Sequence, residues 1–149
     1  MSEIAKPRAC ADVAVFGRFE YCTSDQILLV RRGEEPFKGM LCLPGGLIFE
    51  NEQPQEAAIR KVAAECGIAL RDLRQALTLS DPCFDPRGWT ISVLFVGTMT
   101  RNQSFEAVPG PAEAGTLIMG INAVRHRTDV VPGFQFLIGR LYQIWLDSQ

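Results

Sequence analysis

The sequence predicts an α/β (α+β) fold in which a mixed central sheet is sandwiched between helices. Three observations predict it. The stretch Thr90–Met99 (TISVLFVGTM) is rich in β-branched and aromatic residues and is the strongest strand signal in the chain. Two segments, one mid-chain and one terminal, repeat apolar residues at spacings of three and four, the mark of amphipathic helices. The chain has 149 residues, 47% of them hydrophobic, which is the size of one domain with a full core and no need of metal or disulfide to hold it. A single domain over residues 1–149 is therefore expected, with no internal repeat, low-complexity tract or linker to divide it.

In chain order, Cys10–Phe16 (CADVAVF) reads as a strand, and Gly17–Gln26 as polar loop or hairpin sequence. Ile27–Val30 (ILLV) is a short apolar run and reads as a buried strand. A loop over Arg31–Gly39 leads to a further short strand, Met40–Leu43, stopped by a turn at Pro44-Gly45-Gly46. The first helix has Pro54 at its first position, Gly67 as its stop and the apolar stripe Ala58, Ile59, Val62, Ala63 and Cys66. Gln53 is its expected N-cap, a weaker choice than Ser, Thr or Asp. Leu73–Leu79 is expected as a strand, Ser80–Gly88 as turns, Asn102–Gly115 as a long loop and Thr116–Ala123 as a strand. Phe134, Leu137, Ile138, Leu141, Ile144 and Trp145 define the terminal helix, with Trp145 in the core and Trp89 half-buried at the start of its strand.

Composition narrows the function. Fifteen basic and 17 acidic side chains leave a net charge of −2, without the basic excess of a dedicated nucleic-acid binder. No run of about 18 apolar residues marks a membrane span. The first residues lack the apolar core of a secretory signal, so the expected location is cytoplasmic. Five cysteines without a CxxC pair, and one histidine, argue against a disulfide framework or a zinc site, and the thiols are expected reduced and mostly buried. His126, between Arg125 and Arg127, reads as part of a solvated turn.

The segment Leu43–Ile68 (LPGGLIFENEQPQEAAIRKVAAECGI) carries the chemistry. It resembles the Nudix box, G-x5-E-x7-R-E-U-x-E-E-x-G-U with U apolar. Gly46, Glu52, Arg60, Val62, Glu65, Gly67 and Ile68 fill their positions without a gap. Two positions depart: Lys61 follows the arginine in place of a glutamate, and Ala64 replaces the first glutamate of the pair. In the family these carboxylates hold divalent metal, which polarises phosphoryl oxygens and generates hydroxide near neutral pH. Residues at i, i+3 and i+4 share a helix face, so the face expected to carry three acids carries Lys61, Ala64 and Glu65. An ammonium about 5 Å from a divalent ion costs about 7 kcal/mol at an effective dielectric of 20, before screening. Lys61 therefore either replaces the metal and meets a ligand phosphate as a point charge, or turns to solvent. Glu56 points to the opposite side of the helix, at about 100° per residue, and is a poor replacement. Glu50 and Glu52 lie in the preceding loop, within reach of the site, and an ion pair of Glu52 with Arg60 is the bland reading of those two box residues.

Beyond the box, Leu28–Gly46 and Ser80–Gly97 are similar to the ADP-ribose pyrophosphatase-like branch of the Nudix superfamily and to the related domain of NAD-linked transcription regulators. The regulators carry a second, winged-helix domain, for which 149 residues leave no room, so DNA binding is not expected. The resemblance implies Mg²⁺ (or Mn²⁺) as cofactor, weakened or lost here, held by Glu65. It implies Glu65 and Glu113 as catalytic groups, against a plain solvated loop position for Glu113. It implies Arg32, Phe37, Gly45, Gly46 and Arg87 as ligand contacts, against turn-stabilising roles for the arginines and core packing for Phe37, and the charge of Lys61 adds that residue as a candidate contact. Glu52, Arg60 and Gly67 order the box. The ligand implied is a nucleoside diphosphate derivative such as ADP-ribose, and a homodimer is an expected assembly. Two readings stand level: metal-assisted hydrolysis of that diphosphate, and binding of a nucleotide or protein partner without hydrolysis. A structural subunit without ligand is the third.

Overall fold

The computed structural model describes residues 2–18, 22–70, 72–99 and 113–149, the last without the side chains of residues 113 and 114. In order, the elements are β1 (Arg8–Gly17), β2 (Gln26–Arg32), β3 (Leu41–Cys42), β4 (Gly45–Leu47), α1 (Pro54–Cys66), β5 (Leu73–Leu79), β6 (Thr90–Met99), β7 (Glu113–Gly120), α2 (Ile121–Val124) and α3 (Phe134–Asp147).

Among the described residues seven strands form one mixed sheet, β3-β2-β1-β6-β5, with β4 added to β1 and β7 to β2. Strand β1 is its axis. One edge runs parallel to β6 from Arg8↔Thr90 to Gly17↔Met99. The other edge is shared, with β2 taking Phe16 and Gly17, and β4 taking Cys10, Ala11 and Asp12. Strands β1 and β2 therefore part company, and the region between them opens into the site described below.

Side chains alternate across a strand, so β1 serves two cores. Ala11, Val13 and Val15 join Leu28 and Val30 under Ala58, Val62 and Cys66 of α1. Ala14 and Phe16 join Ile27, Leu29, Leu94 and Val96 under Leu137, Leu141 and Trp145 of α3. The sheet thus lies between α1 and α3, as the sequence predicts.

Helix α1 begins at Pro54 after an extended Gln53 (φ −74°, ψ 149°) and ends at Gly67, whose φ of 67° suits a residue without Cβ and whose N–H closes on Ala63 O. The Glu56 carboxylate accepts the Gln53 N–H at 3.0 Å, which strengthens a cap that looks weak in the sequence. The buried stripe differs from the expected one. Ala57 and Glu65 are buried with Ala58, Val62 and Cys66, while Ala63 is exposed and Ile59 half-buried.

Three expected elements are corrected. Gly45 and Gly46 are not a simple turn but belong to β4, where the missing Cβ of Gly45 lets the strand approach β1 closely and that of Gly46 leaves room for the Lys61 side chain. The strand expected over Thr116–Ala123 runs instead over Glu113–Gly120, following β2 to its end at Gln26↔Gly120, and Ile121–Val124 coil into α2. The expected loop over Asn102–Gly115 lies outside the described residues up to 112, and its last three residues are strand. The thiols are less buried than expected: Cys42 and Cys66 are buried, Cys10 and Cys22 intermediate and Cys83 exposed. No helix among the described residues is long and apolar enough to cross a membrane.

Candidate ligand-binding site

The loop ahead of α1 is fastened by Glu52 and Arg60. The Glu52 carboxylate accepts Arg60 Nε at 2.8 Å, Arg60 Nη2 at 2.9 Å and the Phe49 N–H at 3.0 Å. These donors stabilise its charged form and hold its pKa at about 2. Arg60 Nη2 also donates to Leu47 O at 3.0 Å, and the guanidinium lies 3.8 Å over the Phe49 ring. Glu52 is thus occupied with the box arginine, and neither Glu50 nor Glu52 lines the cavity beside it.

One residue after Arg60, Lys61 turns inward. Its Nζ stands 2.7 Å from Glu65 Oε1, one helical turn on. The Lys61 side chain is 23% exposed and that of Glu65 3%, so this pair is far less solvated than a surface bridge. Glu65 Oε2 accepts the Gly45 N–H at 3.4 Å. The Lys61 stem crosses Gly46, where an added Cβ would lie 2.8 Å from Lys61 Cε. Gly46 therefore admits the lysine. Ala64 is exposed and absent from the cavity wall, so the face that meets the site carries one cation and one anion.

The second floor residue comes from β1. Asp12 sits opposite Gly45 in the β1–β4 register and faces Lys61 closely enough to feel its charge. Ser92 Oγ, from β6, donates to Asp12 Oδ2 in a short hydrogen bond. Asp12 is half-buried in the cavity lining, and burial of its carboxylate raises its pKa to about 6 against the opposing pull of Ser92 and Lys61. Between about pH 4 and 6 the folded chain then holds a proton that the unfolded chain has released, so stability falls as pH rises through that window and levels off above it. Asp12→Asn keeps an acceptor for Ser92 and removes the charge. It is expected to flatten this slope and raise stability at pH 7, on the order of 2 kcal/mol. Urea denaturation at pH 4.5 and pH 7.5 checks this; an equal loss of stability at both would refute it.

A third group stands at the start of β1 and β6. The Asp85 carboxylate accepts Arg87 Nη2 at 2.8 Å, Arg87 Nε at 3.1 Å and the Arg87 N–H at 2.9 Å, and pairs with Arg8 Nη2 at 3.4 Å. Two guanidiniums are thereby held side by side, and the Asp85 pKa is lowered chiefly by Arg87. Arg32 Nε is fixed by Pro36 O at 2.7 Å.

These groups surround one cavity of about 430 Å³. Its polar wall carries Arg8, Arg32, Arg60, Lys61 and Arg87. Of the acids on that wall, Asp85, Glu65 and Asp12 are engaged as described, and Glu34 and Glu35 are exposed. Its apolar wall includes Phe37, Phe84, Phe134 and Val131, with Phe84 and Phe134 edge to face at 5.6 Å. Phe37, at φ 62°, is half-buried against the core and lines the cavity as well. Cys10 and Cys42 also line it, but burial pushes their thiols up to about 11 and about 12, so neither is a ready thiolate.

The residues expected to contact ligand — Arg32, Phe37, Gly45, Gly46, Lys61 and Arg87 — all lie on this wall, with Glu65. The backbone of Glu113 pairs with Arg32 in the sheet, and its side chain lies outside the described residues. His126 is exposed in the turn after α2 and away from the cavity. Arg8, Asp12 and Ser92 are the residues that sequence reasoning missed. Asp12 had a signal, an acid inside the apolar run CADVAVF; Arg8 and Ser92 had none.

A family model for the NUDIX domain matches residues 8–129. The chain belongs to the Nudix family. This Nudix domain is 38% identical over 84 residues to an ADP-ribose pyrophosphatase of Methanocaldococcus jannaschii, covering 56% of this chain and 48% of that protein. It is 34% identical over 96 residues to the ADPR responsive transcriptional repressor NtrR of Acinetobacter baylyi, covering 63% of this chain and 38% of that one. The aligned parts thus span less than half the length of these two relatives. Among solved structures, the NUDIX domain of Shewanella oneidensis NrtR complexed with ADP ribose superposes with a TM-score of 0.83 at 22% identity, over 95% of this chain and 90% of that one. A MutT/nudix family protein from Enterococcus faecalis also reaches 0.83 at 19% identity, over 99% of this chain and 65% of that one. These two likenesses establish the fold.

Nudix enzymes generally use a divalent metal, and among the described residues the box of this Nudix domain offers few oxygen donors for one. Mg²⁺ needs oxygen ligands. At the box, the buried Glu65 carboxylate is already joined to an ammonium, and position 64 offers a methyl group. Among the described residues no three His, Cys, Asp or Glu side chains come together in a group that could hold a metal ion.

Proposed function

We propose that this Nudix domain binds a nucleoside diphosphate derivative, ADP-ribose foremost, and does not hydrolyse it with metal. The observation that carries this reading is the Lys61–Glu65 pair at 2.7 Å, set where the family places metal-holding acids. The cavity suits such a ligand by its chemistry. Basic side chains in the lining match phosphate charge, and aromatic side chains in the same lining offer faces for a base. The ADP-ribose pyrophosphatase and the ADPR responsive repressor among its relatives make ADP-ribose the first ligand to test. A net charge of −2 gives no basic excess for duplex DNA, so a small molecule is the proposed partner; assembly as a homodimer in the cytoplasm belongs to the same proposal.

Hydrolysis of ADP-ribose is the second reading, favoured by the 38% identity to a pyrophosphatase. Calorimetric titration with ADP-ribose, in chelator and in Mg²⁺, together with an assay of AMP release, separates the two. Comparable affinity in both buffers without AMP is the expected result. Release of AMP only in Mg²⁺ or Mn²⁺ would establish the second reading in its place.

A further inference from the structure

We propose that the Lys61 ammonium is the cavity's own phosphate-binding cation, held over Gly46 by Glu65, and that it meets the diphosphate of the ligand without a divalent ion. This deepens the binding reading above and rests on it for the nucleoside part of the ligand only.

Four features support it. Among the described residues Lys61 is the only lysine on the cavity wall, and its stem passes close over Gly46, which constrains its reach. An ammonium has three donors, and its ion pair with Glu65 Oε1 at 2.7 Å approaches the group from one side, which leaves donors for phosphate oxygens. Glu65 is 3% exposed and is anchored through Gly45 N–H, so the counterion is fixed while the more exposed ammonium faces the cavity. Arg8 and Arg87, tied together by Asp85, stand on the same wall as further partners for anionic oxygens. The box acid Glu65 then has a role other than metal ligation: it orders the lysine and partly masks its charge.

The two roles of Glu65 predict opposite signs. As a metal ligand, its neutralisation weakens ligand binding. As the counterion of Lys61, its neutralisation unmasks the ammonium and removes a negative charge beside the phosphate, so binding tightens. Inorganic pyrophosphate and ADP-ribose are titrated in excess chelator into wild type, Lys61→Ala, Lys61→Arg and Glu65→Gln, each first shown to melt cooperatively. Lys61→Ala is expected to lose about ten- to hundredfold in affinity for both ligands, the scale of a charge-assisted hydrogen bond. Lys61→Arg should retain most of the affinity, and Glu65→Gln should gain several-fold.

Unchanged affinity in Lys61→Ala, weaker binding by a folded Glu65→Gln, or binding that appears only when Mg²⁺ is added would each overturn the proposal. Should Glu65→Gln fail to fold, the lysine variants decide it alone. The pyrophosphate arm keeps the two readings apart. Lys61-dependent binding of pyrophosphate without binding of ADP-ribose would overturn the nucleoside reading and leave this inference standing. Binding of neither ligand by wild type would overturn both.

Discussion

Gly45→Ala should destabilise the fold by about 3 kcal/mol or more, at or beyond the upper end of ordinary overpacking. A Cβ at position 45 would stand 2.2 Å from Asp12 Oδ1, 2.4 Å from Ala11 O and 2.7 Å from Asp12 Cα. Two of these three atoms are backbone and cannot rotate aside. Strand β1 cannot retreat either, because its other edge is paired with β6 from Arg8 to Gly17. Relief therefore requires β4 to leave β1, which breaks the Asp12↔Gly45 register and the Gly45 N–H bond to Glu65. Binding should weaken together with stability, since the Asp12↔Gly45 register and the Gly45 N–H bond to Glu65 set both acids on the cavity wall. Gly46→Ala is the control. Its Cβ would press on Lys61 Cε at 2.8 Å, the flexible part of a side chain, so most of the stability should remain while the lysine is displaced. Urea denaturation of both variants checks the contrast. A Gly45→Ala midpoint equal to that of wild type would show that β4 is not held as described.

Phe16→Ala is the second large effect, with an expected loss of about 3–5 kcal/mol. Phe16 is fully buried, and its ring centroid lies 5.4 Å from those of both Tyr142 and Trp145. It is the largest of the sheet side chains on which α3 packs. The polar ends of its two partners are also tethered: Tyr142 Oη donates to Asp25 Oδ2 at 2.6 Å, and Trp145 Nε1 donates to Thr98 Oγ1 at 2.8 Å. Those tethers hold the helix near the gap and prevent full collapse, so most of the cavity cost should be felt. A domain of this size has about 5–15 kcal/mol in total, so the variant loses a large share. By comparison Phe136, 76% exposed on the same helix, should tolerate alanine within about 0.5 kcal/mol. Denaturation followed by tryptophan fluorescence measures both. A Phe16→Ala loss below about 1 kcal/mol would mean that α3 is held elsewhere.

Elements with their own punctuation were legible in the chain. Pro54 and Gly67 bracket α1, and both ends are found there, because a fixed φ at the start and a left-handed residue at the stop are local requirements. The strand Thr90–Met99 and the apolar stripe of α3 are likewise local in origin. Strand β4 was hidden because its two glycines signal a turn; only the neighbouring elements show that Gly45 serves close approach to β1 and Gly46 makes room for Lys61. The extent of β7 was misplaced because its limits are those of β2, to which it pairs. On α1, Ala64 faces solvent although its spacing puts it beside Lys61 and Glu65, since the buried stripe of Ala57, Ala58, Val62, Glu65 and Cys66 sets the roll of the helix.

By itself the sequence determined the family frame of the box, the change from acid to lysine at position 61 and the one-turn spacing of Lys61 and Glu65, because each is a matter of local order along the chain. Only the tertiary structure decided that this lysine turns inward over Gly46, that Asp12 and Ser92 form the floor beside it, and that Arg8 joins Arg87 across Asp85. These groups come from segments far apart in the sequence. The pairing of β1 with both β4 and β6 is what brings them within reach, and burial there raises the Asp12 pKa.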